Sequence, residues 1–275
     1  MPVKKDASGR RYVEAEAEVP GTPEQVWEAI ATGPGISSWF VPTEMDGGKD
    51  RPPTKAISHF AADGSMDAVA TITAWDPPRR FVAESPAEGP NDPAVATEWT
   101  VEARAGGSCV VRVVHSWFAS SDDWDNQFEG HTQGWVAFFR ILRLYLADFP
   151  GQRSAAFQLL AFAPGTAAEA WDALAGALGL SRAVEGEQVT SAEGAPRLSG
   201  KAERVGPAEY PELLLRVDEP APGIAHLFAM AMGGSVCVSV RFFLYGAHAP
   251  AVTAREEPAW RAWLDGQFPR SAVGV

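Results

Sequence analysis

WDNQFEGHTQGWVAFFRILRLYLADFP, residues 124–150, sets the frame for everything around it. Trp124, Phe128, Trp135, Phe138, Phe139, Leu142, Tyr145 and Leu146 recur at helical spacings. That pattern predicts an amphipathic helix with a wide apolar face. Arg140, Arg143 and Asp148 fall on the opposite side, and Asp122 or Asp123 is placed to cap the start. Pro150 followed by Gly151 stops it. Gly130 and Gly134 each cost about 1 kcal/mol relative to Ala. They predict close approach of another backbone or a ligand. A helix this aromatic needs a concave apolar partner, and the preceding residues read as a sheet that supplies one.

Upstream, RYVEAEAEV (11–19) alternates, with Val13, Ala15, Ala17 and Val19 on one face and Glu14, Glu16 and Glu18 on the other. That is a strand with one wet face. In PGTPEQVWEAIATGPGISSWF (20–40), Thr22 is an N-cap, Pro23 takes the first helical position, and Val26, Trp27 and Ile30 form the buried side. Gly33-Pro34-Gly35 reads as a break before a second short helix over Ile36–Phe40 ending in an exposed Trp39-Phe40 pair. Antiparallel strands are expected at 41–46, 55–61, 66–75, 80–85, 95–104 and 108–118, punctuated by Gly and Pro pairs. Alternation puts Cys109, Val111, Val113, His115 and Trp117 on the inner face of the last strand. Thr97, Trp99, Val101 and Ala103 line the one before it, and Phe81 and Ala83 the next.

The chain then restarts. Pro20-Gly21-Thr22 recurs as Pro164-Gly165-Thr166, and Trp27-Glu28-Ala29-Ile30-Ala31 as Trp171-Asp172-Ala173-Leu174-Ala175. Gly107-Ser108 and its apolar strand recur as Gly234-Ser235 and VCVSVRFFLY. Ordered self-similarity of this kind indicates two copies of one unit, with the boundary near Gly151–Arg153. The expected domains are 1–152 and 153–275, the second reduced and ending in a short helix near 256–268. Val236, Val238, Val240, Phe242 and Leu244 take the inner positions of its last strand, so the polar inner residue His115 has an apolar counterpart in Phe242. A filled core and a bracing role are expected there.

With a formal charge of -12, the chain lacks the basic surface that nucleic acids or anionic membranes call for. Two cysteines, Cys109 and Cys237, give neither a disulfide framework nor a zinc spacing, so a reduced cytoplasmic setting is expected. MPVKKDASGRR has no signal-peptide core, and no apolar run reaches the roughly 18 residues of a membrane span.

Strand, helix pair, curved antiparallel sheet and long C-terminal helix, in that order, resemble the START-like (SRPBCC) helix-grip superfamily. PGTPEQVWEAIATGPGISSWF, TAWDPPRRFVAE at 73–84 and Gly134-Trp135 resemble the bacterial branch of the heat-shock-protein-ninety ATPase activator homology family within it. The resemblance covers about residues 11–150; the second half shares only PGTAAEAWDALA and its closing strand and helix. It implies an α+β fold of two tandem helix-grip domains, each a curved antiparallel sheet wrapped around a long C-terminal helix. An apolar cavity would lie between sheet and helix. Lipid carriers, hormone receptors, polyketide cyclases and co-chaperones share this fold, so the fold alone does not choose an activity.

The expected lining of the first domain is Trp39, Phe40, His59, Phe81, Trp99, His115, Trp117, Trp135, Phe138 and Phe139. Aromatics with a few placed polar groups suit an apolar or aromatic small molecule; the same side chains also suit a packed core. His115 is the sharpest single residue, placed to orient a ligand carbonyl or act as a base. A metal built from His115, His131, Asp122, Asp123, Asp125 and Glu129 lacks any ligand spacing, and no nucleotide or nucleophile motif is present. The expectation is a binding protein without cofactor or metal. The alternatives are a cyclase-like or hydrolase-like enzyme using His115 with His59 or a Tyr, and a protein-interaction module using Trp39-Phe40 or the 119–126 loop. A homodimer or other protein partner stays open.

Overall fold

The computed structural model describes residues 3–7, 9–47, 51–60, 64, 67–87, 93–117, 125–232 and 234–269, the side chains of 125–133 excepted. The chain forms two compact units, Met1–Arg153 and Ser154–Val275.

In the first unit, β1 (Lys4–Lys5) and β2 (Arg11–Pro20) precede α1 (Pro23–Ala31) and α2 (Gly33–Ile36). Six strands follow: β3 (Thr43–Met45), β4 (Lys55–His59), β5 (Asp67–Asp76), β6 (Arg80–Ser85), β7 (Val95–Arg104) and β8 (Ser108–Trp117). Then comes α3 (Asp125–Asp148). The sheet is antiparallel, in the order β1-β2-β8-β7-β6-β5-β4-β3. Its register is continuous from Val95↔Trp117 to Arg104↔Ser108. Val13, Ala15, Val19, Cys109, Val111 and Val113 are buried on one face, as the alternation predicts, whereas Ala103 near the end of β7 is exposed.

Helix α1 begins where the sequence places it. Thr22 Oγ1 accepts from the Gln25 amide and Gln25 Oε1 accepts from the Thr22 amide at 2.9 Å, a capping box worth about 1 kcal/mol. The second helix differs from expectation: it occupies Gly33–Ile36, not Ile36–Phe40. Thr32 caps it through the Gly35 amide at 3.0 Å while donating back to Glu28 O at 2.8 Å. Only glycine fits at Gly35, because a Cβ there would lie 1.9 Å from Glu28 O. The tight turn carries Trp39 inward, and its indole Nε1 donates to Ala29 O at 2.9 Å. Trp39 is therefore 1% exposed rather than presented to solvent.

Helix α3 packs against β2. Phe139, Leu142, Tyr145 and Leu146 are buried on the expected face, joined by Ile141. Burying a side chain of this size stabilises by about 2 kcal/mol, so the apolar face outweighs a helical glycine. Among the described residues, and apart from the helix's own backbone, a Cβ at Gly134 would meet only Phe138 Cε2, at an ordinary 3.8 Å. Of the two approaches expected at that position, that of another backbone is not found among the described residues. Side chains at Phe128, Glu129, Gly130 and His131 lie outside the described residues, as do Trp124, Asp122 and Asp123.

The second unit repeats the plan with β9 (Ala155–Ala163), α4 (Ala167–Leu178), β10 (Gln188–Thr190), β11 (Ser199–Val205), β12 (Glu212–Glu219), β13 (Gly223–Met232), β14 (Ser235–Leu244) and α5 (Ala249–Gln267). Its sheet runs β10-β11-β12-β13-β14-β9. Val236, Val238, Val240, Phe242 and Leu244 belong to one buried apolar cluster with Trp260 and Leu264 of α5. That helix is longer than the sequence predicts. It continues through Pro258, which lacks an amide proton, because Trp260 and Leu264 anchor it to the core.

Candidate functional site

A cavity of about 390 Å³ lies within the first unit, between the inner face of the sheet and the helices. Its size comes from short side chains. Ala56 pairs with Ala70 and Ser58 with Ala68 across β4 and β5, and all four face the cavity. Large residues there would fill the space between sheet and α3.

Aromatic rings form the opposing walls. Trp135 of α3 is their hub: it stacks on Phe40 at 5.6 Å, meets Trp99 edge-on at 5.1 Å and sits 5.2 Å from the His115 ring. Phe81 stacks on Trp99 at 6.1 Å. A bulge near Thr73 shifts the pairing of β5 with β6, so Trp75 turns to the same side as Phe81 and both contact Trp27 of α1.

Two polar pairs interrupt the apolar lining. Thr97 Oγ1 and His115 Nδ1 are 2.9 Å apart on neighbouring strands. Thr43 Oγ1 and Ser58 Oγ are 3.2 Å apart on β3 and β4. No Lys, Arg, Asp or Glu lines the cavity among the described residues.

Of the residues expected in the lining, Trp39, Phe40, Phe81, Trp99, His115 and Trp135 are there. His59, Trp117, Phe138 and Phe139 do not border the cavity. His59 is excluded by strand parity: Ala56 and Ser58 point in, so His59 points out. Its Nδ1 lies 2.8 Å from Asp67 Oδ1, directly across from it on β5. Trp117, at the end of β8, is 1% exposed and packs with Val13. Phe138 supports Phe40 from behind at 4.4 Å, and Phe139 packs beside Trp99 and Trp135. Sequence reading left out Ser58, Thr43 and the alanines of β4 and β5. The signal for the alanines was small residues at alternate inner positions.

No Tyr lines the cavity among the described residues. Tyr145 OH donates to Gln152 O at 3.1 Å, and burial raises its pKa. Burial also raises that of the Cys109 thiol. Among the described residues no three His, Cys, Asp or Glu side chains are grouped to hold a metal. No described helix is long and apolar enough to cross a membrane.

Residues 10–140 match the family model described as polyketide cyclase / dehydrase and lipid transport. The di-domain ARO/CYC BexL from the BE-7585A biosynthetic pathway is similar in structure at 15% identity, covering 94% of this chain and 95% of that one, with a TM-score of 0.43. CalU16 from Micromonospora echinospora is similar at 16% identity, covering 54% and 83%, with a TM-score of 0.40. The Aha1 dimer from Colwellia psychrerythraea is similar at 17% identity, covering 49% and 95%, with a TM-score of 0.38. No curated protein matches the chain.

Proposed function

We propose that this START-like (SRPBCC) chain binds a small, flat apolar or aromatic molecule in the cavity of its first unit, between the sheet and α3. The observation that carries the reading is about 390 Å³ of open space bounded by Trp39, Phe40, Phe81, Trp99 and Trp135. That falls within the usual range for small-molecule sites, and the rings offer flat faces for a flat guest. The description of the matching family, polyketide cyclase / dehydrase and lipid transport, suits a hydrophobic guest.

Binding is favoured over catalysis because acid–base work needs groups converging on the reacting atoms. Among the described lining residues His115 is the one titratable side chain, and its Nδ1 is engaged by Thr97. Of the partners the enzyme reading offered, His59 faces away, and no Tyr lines the cavity among the described residues. A protein-contact role for Trp39 is disfavoured by its burial. The second unit has its inner face filled by Val238, Val240 and Phe242, and the reading places the guest in the first unit.

The test fills the cavity. Ala70→Phe places a ring in the space that the β4–β5 alanines leave open. Protein isolated from its own host and examined by native mass spectrometry should retain a small molecule, and Ala70→Phe should lose it while keeping its circular dichroism spectrum. Retention of the same molecule by the filled variant would defeat the proposal.

A further inference from the structure

Hydrogen-bond bookkeeping at the β3–β4 end of the cavity fixes which way Ser58 points its proton. A threonine hydroxyl carries one proton. Thr43 Oγ1 lies 3.0 Å from Val41 O, and a carbonyl oxygen only accepts, so the Thr43 proton is committed there. Ser58 Oγ lies 3.2 Å from the same Thr43 oxygen. With the Thr43 proton spent, Ser58 must be the donor in that pair. Ser58 Oγ therefore meets the cavity as lone pairs.

We infer that Ser58 determines specificity by selecting ligands that present an uncharged O–H group, a phenol or alcohol, over their ethers and carboxylates. The inference rests on the cavity being a ligand site. A ligand O–H completes the chain ligand→Ser58→Thr43→Val41 O. An ether or carbonyl oxygen at that place sets lone pair against lone pair. A carboxylate does so with a charge added, and the described lining holds no Lys or Arg to compensate it. The outer end of the chain is a backbone carbonyl, and Thr43 is buried, so the donor direction is set by the fold rather than by the guest.

Three matched probes test this: naphthol, methoxynaphthalene and naphthoate, substituted at the same ring position and titrated at neutral pH by tryptophan fluorescence. Wild type should prefer naphthol over methoxynaphthalene by about threefold to tenfold, the worth of one hydrogen bond, and bind naphthoate most weakly. Ser58→Ala should abolish that preference, lowering naphthol affinity by the lost hydrogen bond and relieving the lone-pair clash with methoxynaphthalene. Thr43→Val frees the Ser58 proton to face the guest, so methoxynaphthalene should then bind more tightly than it does to wild type. A naphthol preference that survives Ser58→Ala, or naphthoate binding as tightly as naphthol, would overturn the inference and leave the cavity reading standing. Failure of every probe to bind wild type, or equal binding to Ala70→Phe, would overturn both.

Discussion

Thr97 Oγ1 lies 2.9 Å from His115 Nδ1, across the β7–β8 pairing and on the face that borders the cavity. The contact fixes the imidazole plane, which also stands 5.2 Å from the Trp135 ring. A histidine held this way keeps one orientation at the cavity wall. His115→Phe should keep the fold and weaken binding of a flat probe that carries a hydrogen-bonding group about tenfold, the scale of one oriented polar contact. Thr97→Val should cost about 1 kcal/mol of stability. Paired thermal melts and fluorescence titrations separate the roles. A large drop in Tm for His115→Phe with unchanged binding would assign the ring to packing alone.

Trp135 joins α3 to the rest of the lining through Phe40, Trp99 and His115. It is only partly buried. A fully buried Trp→Ala costs about 3–5 kcal/mol, so Trp135→Ala should cost roughly half that, with Trp135→Phe intermediate. Urea denaturation reads the loss. Because the ring also forms cavity wall, Trp135→Ala should lower probe affinity as well. Full retention of both stability and affinity would show that its ring contacts carry little energy.

Much of the first unit was legible because its signals are local. Thr22 announces an N-cap, Glu14-Glu16-Glu18 announce a wet strand face, and Pro150 announces a helix end. Alternation counted along β8 correctly put His115 inside. The misreadings arose where a neighbour decides the outcome. His59 looked like an inner polar group, but inner positions on β4 are set by pairing with β5, which places His59 opposite Asp67. Trp75 joined the inner face through a bulge that alternation cannot foresee. Trp39 turned inward because Thr32 recaps the chain and tightens the turn before it. The direction of the Ser58 proton depends on a carbonyl from a different turn, which no spacing rule encodes.

The β3–β4 hairpin that carries Thr43 and Ser58 is closed by Asp46. Its carboxylate accepts from the Thr54 hydroxyl and from the amides of Lys55 at 2.9 Å and Thr54 at 2.6 Å. These bonds, the hydroxyl first, hold its pKa at about 2. A carboxylate depressed in the folded state stabilises above its unfolded value and loses that contribution as pH falls through the folded one. Asp46→Asn should therefore lower Tm at neutral pH. The gap from wild type should close between about pH 4, near the unfolded value, and about pH 2. A gap that is constant across that window would mean the carboxylate charge plays no part.

Gly134 is a helix position where a methyl has room, since the nearest atom to a Cβ added there is on the Phe138 ring edge, at 3.8 Å. Gly134→Ala should stabilise the protein by about 1 kcal/mol through reduced freedom of the unfolded chain. Chemical denaturation reads the change. The neighbouring Trp135 keeps its position, so probe affinity should stay the same. Lost affinity with gained stability would mean that α3 must deform locally when the cavity fills.

The two units open their first helices with the same device but different chemistry. Thr22 is answered by the neutral amide of Gln25; Thr166 is answered by the carboxylate of Glu169, which accepts from the Thr166 amide at 2.8 Å and hydroxyl at 2.9 Å. Those bonds, the backbone one first, pull the Glu169 pKa below the ordinary range. Its contribution is therefore present above the unfolded value and fades as pH falls through the folded one. Thr22→Ala and Thr166→Ala should each cost about 1 kcal/mol at neutral pH. In acid the cost of Thr166→Ala should shrink while that of Thr22→Ala holds, and Glu169→Gln should make the second box as insensitive to pH as the first. Denaturation of the single variants across an acid series measures this. Equal costs for Thr166→Ala at neutral and acid pH would remove the carboxylate from the account and leave the threonine hydroxyl as the whole of the cap.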